Sequence, residues 1–390
     1  MTLYAFVNRY ILLVRISMKR ILLGYGVIGI IFSIFSFGFL DPNFPISSNE
    51  WVRALIRPLT NIVYTQSFVA ACIYTMLIVS LFVLYAAVLK KSDVSGVIKY
   101  WKMILVVGGI WVLSYPALSH DVFNYILTAK VVYTHHENPY VVMPIELLGE
   151  PNLMFTRAAN KVALYGPVWI ISTWLPHVAS FGNTWIAIYT FKLFVVAAYA
   201  SICFMIYVFT RDAKRVLFFA ANPLVLIETF VSGHNDTFMM ALALFSAFLL
   251  GHKRTIYRYM GWAVMAFSFL TKGATIVLVP VFLLFRTFPK EKLFLLASIS
   301  MFGVFLLTPF REEMYPWYAI WFLTFVSLLP VRKRSYIHGA AFVFSLGLLF
   351  RYIPWIATRE YGGLAPMIRL IVTWFPLVVY TTWYRWRKDI

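Results

Sequence analysis

Three short stretches hold the residues best suited to chemistry. The first is LSHDVFNYILTAKVVYTHHENPYVVMP, which starts at Leu118. Asp121, Asn124, Tyr125 and Thr128 recur there at i, i+3, i+4 and i+7, so they share one helix face, with His120 beside them. A carboxylate in that setting can take a proton from a hydroxyl. The plainer reading is that Asp121 only caps its helix with Ser119; that leaves the rest of the polar stripe without a reason. The second stretch is NPLVLIETFVSGHNDTFMMALALF. Its apolar run breaks at Gly233 and resumes after His234, Asn235 and Asp236, with Glu228 about two turns deeper. Capping alone could explain Asn235, but His234 and Asp236 together read as part of a site. The third is FLTKGATIVLVP, where Lys272 sits between uniformly apolar flanks and Gly273 permits a close turn. Lys130, Arg157, Lys161, Arg311, Arg351, Arg359 and Arg369 are further cations, for which snorkelling is the ordinary role.

These side chains need helices to position them, and the composition says what kind. The 390 residues are 62% hydrophobic and only 13% charged, with a mean hydropathy of +0.79. A soluble domain is nearer one quarter charged. The same numbers exclude disorder, and the unbroken apolar runs exclude a membrane β-barrel. An all-α polytopic membrane protein is expected. Spans are predicted at 21–40, 67–89, 103–118, 184–210, 216–232, 235–251, 257–272, 274–286, 293–309, 316–330, 336–352 and 365–383, about 12 transmembrane helices in all. The first residues, MTLYAFVNRYILLVRISMKR, read as an interfacial helix. Cys72 and Cys203 lie in apolar runs without a CxxC or Cys/His context, so neither a disulfide framework nor a metal site is expected.

The formal charge of +19 has a particular distribution. The N-terminal arm and the clusters at 90–102, 211–215, 253–258, 286–292, 332–334 and 385–389 hold 23 of the 34 Lys and Arg, but 4 of the 15 Asp and Glu. The whole net charge therefore lies in alternate loops. This follows the positive-inside rule, needs no nucleic acid, and places both termini in the cytoplasm. The segment 119–183 and the loops near 41–66, 233, 310–315 and 353–364 then face outward. The chain divides into 1–118 (interfacial helix and three spans), 119–183 (outer loop with amphipathic helices and Asp121) and 184–390 (helical core). LYGPVWIISTWLPHVAS, at 164–180, is apolar enough to cross, but crossing would reverse every later basic loop. Pro167 and Pro176 suit a short interfacial or re-entrant helix there. The aromatic rings at 315–321, with Tyr165, Trp169 and Trp174, read as an interfacial belt; a carbohydrate platform is the weaker reading.

Carboxylates, cations and rings gathered at the outer face point to an enzyme acting on a lipid-linked polar substrate. No P-loop, HExxH, GxSxG or DxD is present. Without DxD, a metal-held nucleotide diphosphate is not expected. A lipid monophosphate leaving group carries less charge, and one or two Lys or Arg can serve it.

SHDVFNY, ENPYVVMP and LYGPVW, followed by NPLVLIETFVSGHNDTFMM and FLTKGATIVLVP, resemble the GT-C superfamily of integral-membrane glycosyltransferases, in particular bacterial polyprenol-phosphate-mannose-dependent mannosyltransferases. The likeness covers about 119–285; the first hundred residues and the C-terminal third match in hydropathy and the PWY element. It implies a helical membrane core, no cofactor, and inverting transfer of a hexose, mannose first, from a polyprenyl-phosphate donor to a lipid or glycan acceptor on the outer face of the cell membrane. It implies that Asp121 is the base. Lys272 and Arg351 become candidates for the donor phosphate, Lys272 the better, with His120, Asn124, Tyr125, Tyr165, His234, Asn235 and Asp236 positioning substrate. His120 stands where many members carry an acid, and Asn124 where many carry Arg. The alternative is a transporter or flippase of a lipid-linked glycan. It would call for internal repeats and mid-membrane charges, and the polar residues concentrate at one face instead.

Overall fold

A computed structural model describes residues 17–41, 49–91, 108–331 and 335–387. Expectations for the N-terminal arm, the start of the 103–118 span, and the basic residues Lys99, Lys102, Arg332, Lys333, Arg334 and Lys388 fall outside the described residues. The chain is all-helical there. The first helices are α1 (Met18–Ser36), α2 (Glu50–Tyr64) and α3 (Ser67–Lys91). The 119–183 segment holds α4 (Asp121–Tyr133) and two short helices, α5 (Pro167–Ser172) and α6 (Trp174–Val178). Then come α7 (Thr184–Thr210), α8 (Ala213–Ala220) and α9 (Pro223–Leu226), which runs into a π turn at Ile227–Val231. α10 (Asp236–Leu250), α11 (Thr255–Lys272), α12 (Leu278–Leu283) and α13 (Lys290–Leu307) follow. The chain closes with α14 (Ala319–Val326), α15 (Tyr336–Phe350), α16 (Ile353–Thr358) and α17 (Ala365–Trp386).

Among the described residues, six helical stretches are long and apolar enough to cross a membrane: Met18–Phe39, Ser67–Lys91, Thr184–Thr210, Lys290–Phe310, Tyr336–Thr358 and Ala365–Trp386. Six of the roughly twelve expected spans are met by such helices. Hydropathy alone had marked the other segments. α10, however, has 15 residues, about 22 Å of helix against a hydrocarbon core of about 30 Å. The predicted 216–232 span is divided among α8, α9 and the π turn, and 274–286 is a chain of short turns. The pieces of the 216–232 segment are packed into the protein, where every residue from Val216 to Thr237 is buried, whereas Ile276 and Leu283 in the 274–286 turns are exposed. The 164–180 segment breaks at Thr173 into helices of six and five residues, too short to cross.

One element went unpredicted. The supposed loop 41–66 contains α2, whose apolar Trp51, Val52, Leu55, Ile56, Leu59, Ile62 and Val63 fall at helical spacing. Trp51 and Leu55 are exposed while Val63 is fully buried. Arg359 tethers its end, donating to the Val63 carbonyl at 2.7 Å, with its guanidinium over the rings of Phe39, Tyr64 and Trp355.

Two devices fix the approach to Asp121. Lys192, inside α7 and fully buried, donates to the carbonyls of Val112 and Ser114, each at 2.6 Å. Ser33 and Ser36 at the end of α1 meet the Ser114 hydroxyl and the Tyr115 N–H, both at 2.8 Å. The lysine thus satisfies helix-end carbonyls that would otherwise be stranded in apolar surroundings. The sequence reading missed Lys192, although a lone charge inside an apolar run was a visible signal.

Candidate active site

Asp121 is the first residue of α4, and its backbone N–H donates to Ser119 Oγ at 3.2 Å. Its carboxylate does not cap the helix. It faces His234, with Oδ2 3.4 Å from Nδ1. On the far side of the ring, His234 Nε2 lies 3.3 Å from Glu228 Oε2. The other Glu228 oxygen accepts from the Tyr352 hydroxyl at 3.0 Å. Glu228 and His234 are fully buried, whereas the Asp121 side chain is 24% exposed.

The local backbone explains this placement. The π turn inserts an extra residue and turns Glu228 inward, as π-bulges at functional sites do. Gly233 then takes φ +70°, a conformation glycine adopts without steric cost, and the His234 N–H returns to the Glu228 carbonyl at 3.0 Å. The His234 ring stacks on Trp317 at 3.9 Å, and Trp317 stacks on Tyr315 at 4.3 Å.

Electrostatics follow from the geometry. Burial pulls the His234 imidazole down, but the Asp121 and Glu228 carboxylates overcome it and raise it to about 9. It is an imidazolium at neutral pH. Burial pushes the Asp121 carboxyl up, while His234, then Lys272, hold it below its ordinary value. Burial and Arg157 lower His120 to about 4, against the pull of Asp121, so it is neutral.

A second cluster centres on Asp236, the first residue of α10 and fully buried. Lys272 at the end of α11 donates to both its oxygens, at 3.0 and 2.8 Å, and the Trp321 indole donates to Oδ1 at 2.6 Å. The ammonium also lies 4.6 Å from the Tyr318 ring centroid. Gly273, at φ +74°, ends α11 and leaves Lys272 at the turn. Gly166 in the YGP element packs on the same helix end. Its N–H donates to the Thr271 carbonyl at 3.0 Å, and a Cβ there would fall 1.9 Å from the Leu270 oxygen.

A third cluster is cationic. Arg351 and Arg369 both donate to Glu313 Oε1, at 2.7 and 2.6 Å. Arg369 is buried, and its Nε and Nη2 have no partner among the described residues. Its guanidinium lies 5.0 Å from the Tyr361 ring, whose hydroxyl accepts from Arg157 at 2.7 Å.

The remaining predicted residues pack around these clusters. Tyr125 is buried against Tyr165 and Trp169, and its hydroxyl accepts from the Asn235 N–H at 3.3 Å. Asn124 accepts from the Ala158 N–H at 3.3 Å. The Asn235 side chain is buried and unpartnered among the described residues. His120 packs against Phe123. The belt reading of Trp317 and Trp321 is corrected: both are buried and serve His234 and Asp236. Trp169 is likewise interior, while Trp174 is exposed. Sequence reasoning gave no role to Tyr352 or Glu313, and read Arg369 only as a snorkelling cation. Among the described residues no group of three or more His, Cys, Asp or Glu could hold a metal ion.

No curated protein matches the chain, and no solved structure does. A family model described as the N-terminal domain of alpha-(1->6)-mannopyranosyltransferase matches residues 22–287, about two thirds of the chain. That match begins almost a hundred residues before the region in which the sequence motifs were recognised, and it takes in Asp121, Glu228, His234, Asp236 and Lys272. The chain belongs to the alpha-(1->6)-mannopyranosyltransferase family and is a membrane glycosyltransferase that transfers mannose.

Proposed function

We propose that the protein moves mannose from a polyprenyl-phosphate donor to a hydroxyl of a lipid or glycan acceptor at the outer face of the membrane, with Asp121 as the base. One observation carries this reading. Of Asp121, Glu228 and Asp236, only Asp121 is open to a substrate. An α-linked product formed with inversion requires a β-linked sugar phosphate. The acceptor oxygen attacks the anomeric carbon, the bond to the phosphate oxygen breaks, and the acceptor proton passes to Asp121 through an oxocarbenium-like transition state.

The leaving phosphate gains one negative charge as that bond breaks, so cations beside it bind the transition state more strongly than the donor. Arg351 and Arg369 share a single carboxylate oxygen, which leaves that pair with surplus positive charge, and Arg157 lies across the Tyr361 ring. Lys272 is already matched by Asp236. The arginine cluster is therefore the better seat for the phosphate, and Lys272 the lesser one. The outer location rests on the distribution of basic loops, with both termini cytoplasmic and an even number of crossings; the six further predicted segments, at 103–118, 216–232, 235–251, 257–272, 274–286 and 316–330, would bring that number to twelve.

The test offers purified protein the polyprenyl-phosphate derivatives of mannose, glucose and arabinose, with membrane extract as acceptor. Mannose transfer is expected, with a donor KM raised about tenfold or more in Arg369→Gln, the usual worth of a charge-assisted contact. No product from any donor would overturn the reading.

A further inference from the structure

We infer that Glu228, His234 and Asp121 work as one relay, in which Glu228 fixes His234 and His234 fixes and aims the Asp121 carboxylate; Glu228 and His234 are thus positioning residues for the transfer. The inference rests on Asp121 being the base. Both ring nitrogens of His234 face carboxylate oxygens, at 3.4 Å toward Asp121 and 3.3 Å toward Glu228. A neutral imidazole has one N–H and one lone pair, so one nitrogen would present its lone pair to an anion. Only the imidazolium turns a positive N–H edge toward both anions, in contacts of ion-pair rather than hydrogen-bond geometry. The ring cannot rotate away, because Trp317 lies flat against it at 3.9 Å.

Glu228 has no other evident purpose. It is fully buried on the π turn, too deep to meet a substrate, and a buried carboxylate is costly unless paired. Its partners are His234 and the Tyr352 hydroxyl. The resting trio carries one net negative charge. When the acceptor proton reaches Asp121, that charge falls to zero and no buried group is left unpaired. Were His234 neutral, two carboxylates would bracket it, and their repulsion would favour an already protonated Asp121, useless as a base.

The other polar and charged groups around the trio leave the imidazole to its two carboxylates. Lys272, from α11, acts on Asp121 but is bonded to Asp236. His120 precedes Asp121 on α4. Tyr74, from α3, faces Glu228 with its hydroxyl given to the Leu349 carbonyl. Lys192, from α7, packs under Gly233 and is committed to Val112 and Ser114.

The test is a pH profile of mannosyl transfer from pH 5 to 10 on the full-length protein, with donor KM at each point. The wild type should lose activity on the alkaline side near the His234 value of about 9. Glu228→Gln keeps the shape and removes the charge. Its alkaline limb should move down by about one to three pH units, the usual effect of one opposite charge at this distance. Its kcat should fall by up to about a hundredfold, the cost of a base misplaced by about 1 Å. Donor KM should stay within about threefold, because the relay does not touch the phosphate seat; removing a uniform binding contact would raise KM instead. An unmoved alkaline limb in Glu228→Gln overturns the relay. If that variant does not fold, His234→Gln removes the titrating ring and should abolish the alkaline limb near pH 9; a limb that persists there overturns the relay. Asp121→Asn, measured in parallel, separates the two ideas. Near-wild-type transfer in Asp121→Asn brings down the assignment of the base, whereas an inactive Asp121→Asn beside an unmoved Glu228→Gln limb brings down the relay alone.

Discussion

Replacing Asp121 by Asn tests the base with little disturbance to the fold. Asn is nearly isosteric, and the cap is untouched because Ser119 Oγ serves the backbone N–H of residue 121. What is lost is one carboxylate 3.4 Å from His234, which keeps Glu228. A charge at a helix N-terminus is worth about 0.3–1 kcal/mol, so the unfolding temperature should move by a few degrees at most. The Asp121 carboxyl is held low in the folded protein. Its contribution is present above the unfolded value of about 3.9 and is lost as pH falls through the folded value. The stability difference between variant and wild type should therefore close below about pH 4. Activity should respond far more strongly. An amide cannot take the acceptor proton, and a general base is worth about 10²–10⁴ in rate, or about 3–5 kcal/mol. The assay is single-turnover transfer at saturating polyprenyl-phosphate mannose, with donor affinity titrated separately. Turnover should collapse while donor affinity stays within about threefold, as when an interaction made only in the transition state is removed. If the variant keeps more than about a tenth of wild-type turnover, Asp121 is not the base. The role would pass to Asp236, which could act only after parting from Lys272 and Trp321.

Lys272→Met should destabilise the protein by about 3–5 kcal/mol, because it strands the buried Asp236 carboxylate; adding Asp236→Asn should recover much of that loss in denaturation curves. Gly166→Ala places a methyl group 1.9 Å from the Leu270 oxygen, so a loss of about 1–3 kcal/mol and a lower transfer rate are expected in thermal unfolding and activity measurements. Single cysteines introduced at 120–160 and 355–362 should label from outside and one at 253 only after permeabilisation; external labelling at 253 would invert the topology. Transfer should persist in excess chelator, since the chain has no DxD; loss restored by manganese or magnesium would refute that.

Much of the site's chemistry was visible along the chain. Asp121, the break at Gly233 and the turn at Gly273 announced themselves as polar or flexible residues in apolar surroundings. Their partners did not. His234 meets Trp317, and Arg351 meets Glu313, across separations that no local pattern encodes. Burial was also illegible: a 15-residue apolar helix such as α10 has the same hydropathy whether it faces lipid or other helices, which is why the predicted spans outnumber the long helices observed. α2 was overlooked because Pro58 and two arginines hid a helical spacing of apolar residues. Lys192 was overlooked because one charge barely lowers the mean hydropathy of α7.

The split of the site between distant parts of the chain bears on how the protein is made. Asp121 and Trp317 are 196 positions apart. At a synthesis rate of about 5–20 residues per second, roughly 10–40 s separate their emergence from the ribosome. Once His234 has emerged it has both carboxylates but, until Trp317 follows, no indole to lie against, and Glu313, Arg351 and Arg369 have yet to enter the bilayer. Membrane insertion is therefore also the assembly step for the site: a nascent chain is inert toward lipid-linked sugars until its last helices arrive, and a chain arrested before α14 should be stranded with buried charges that mark it for proteolysis.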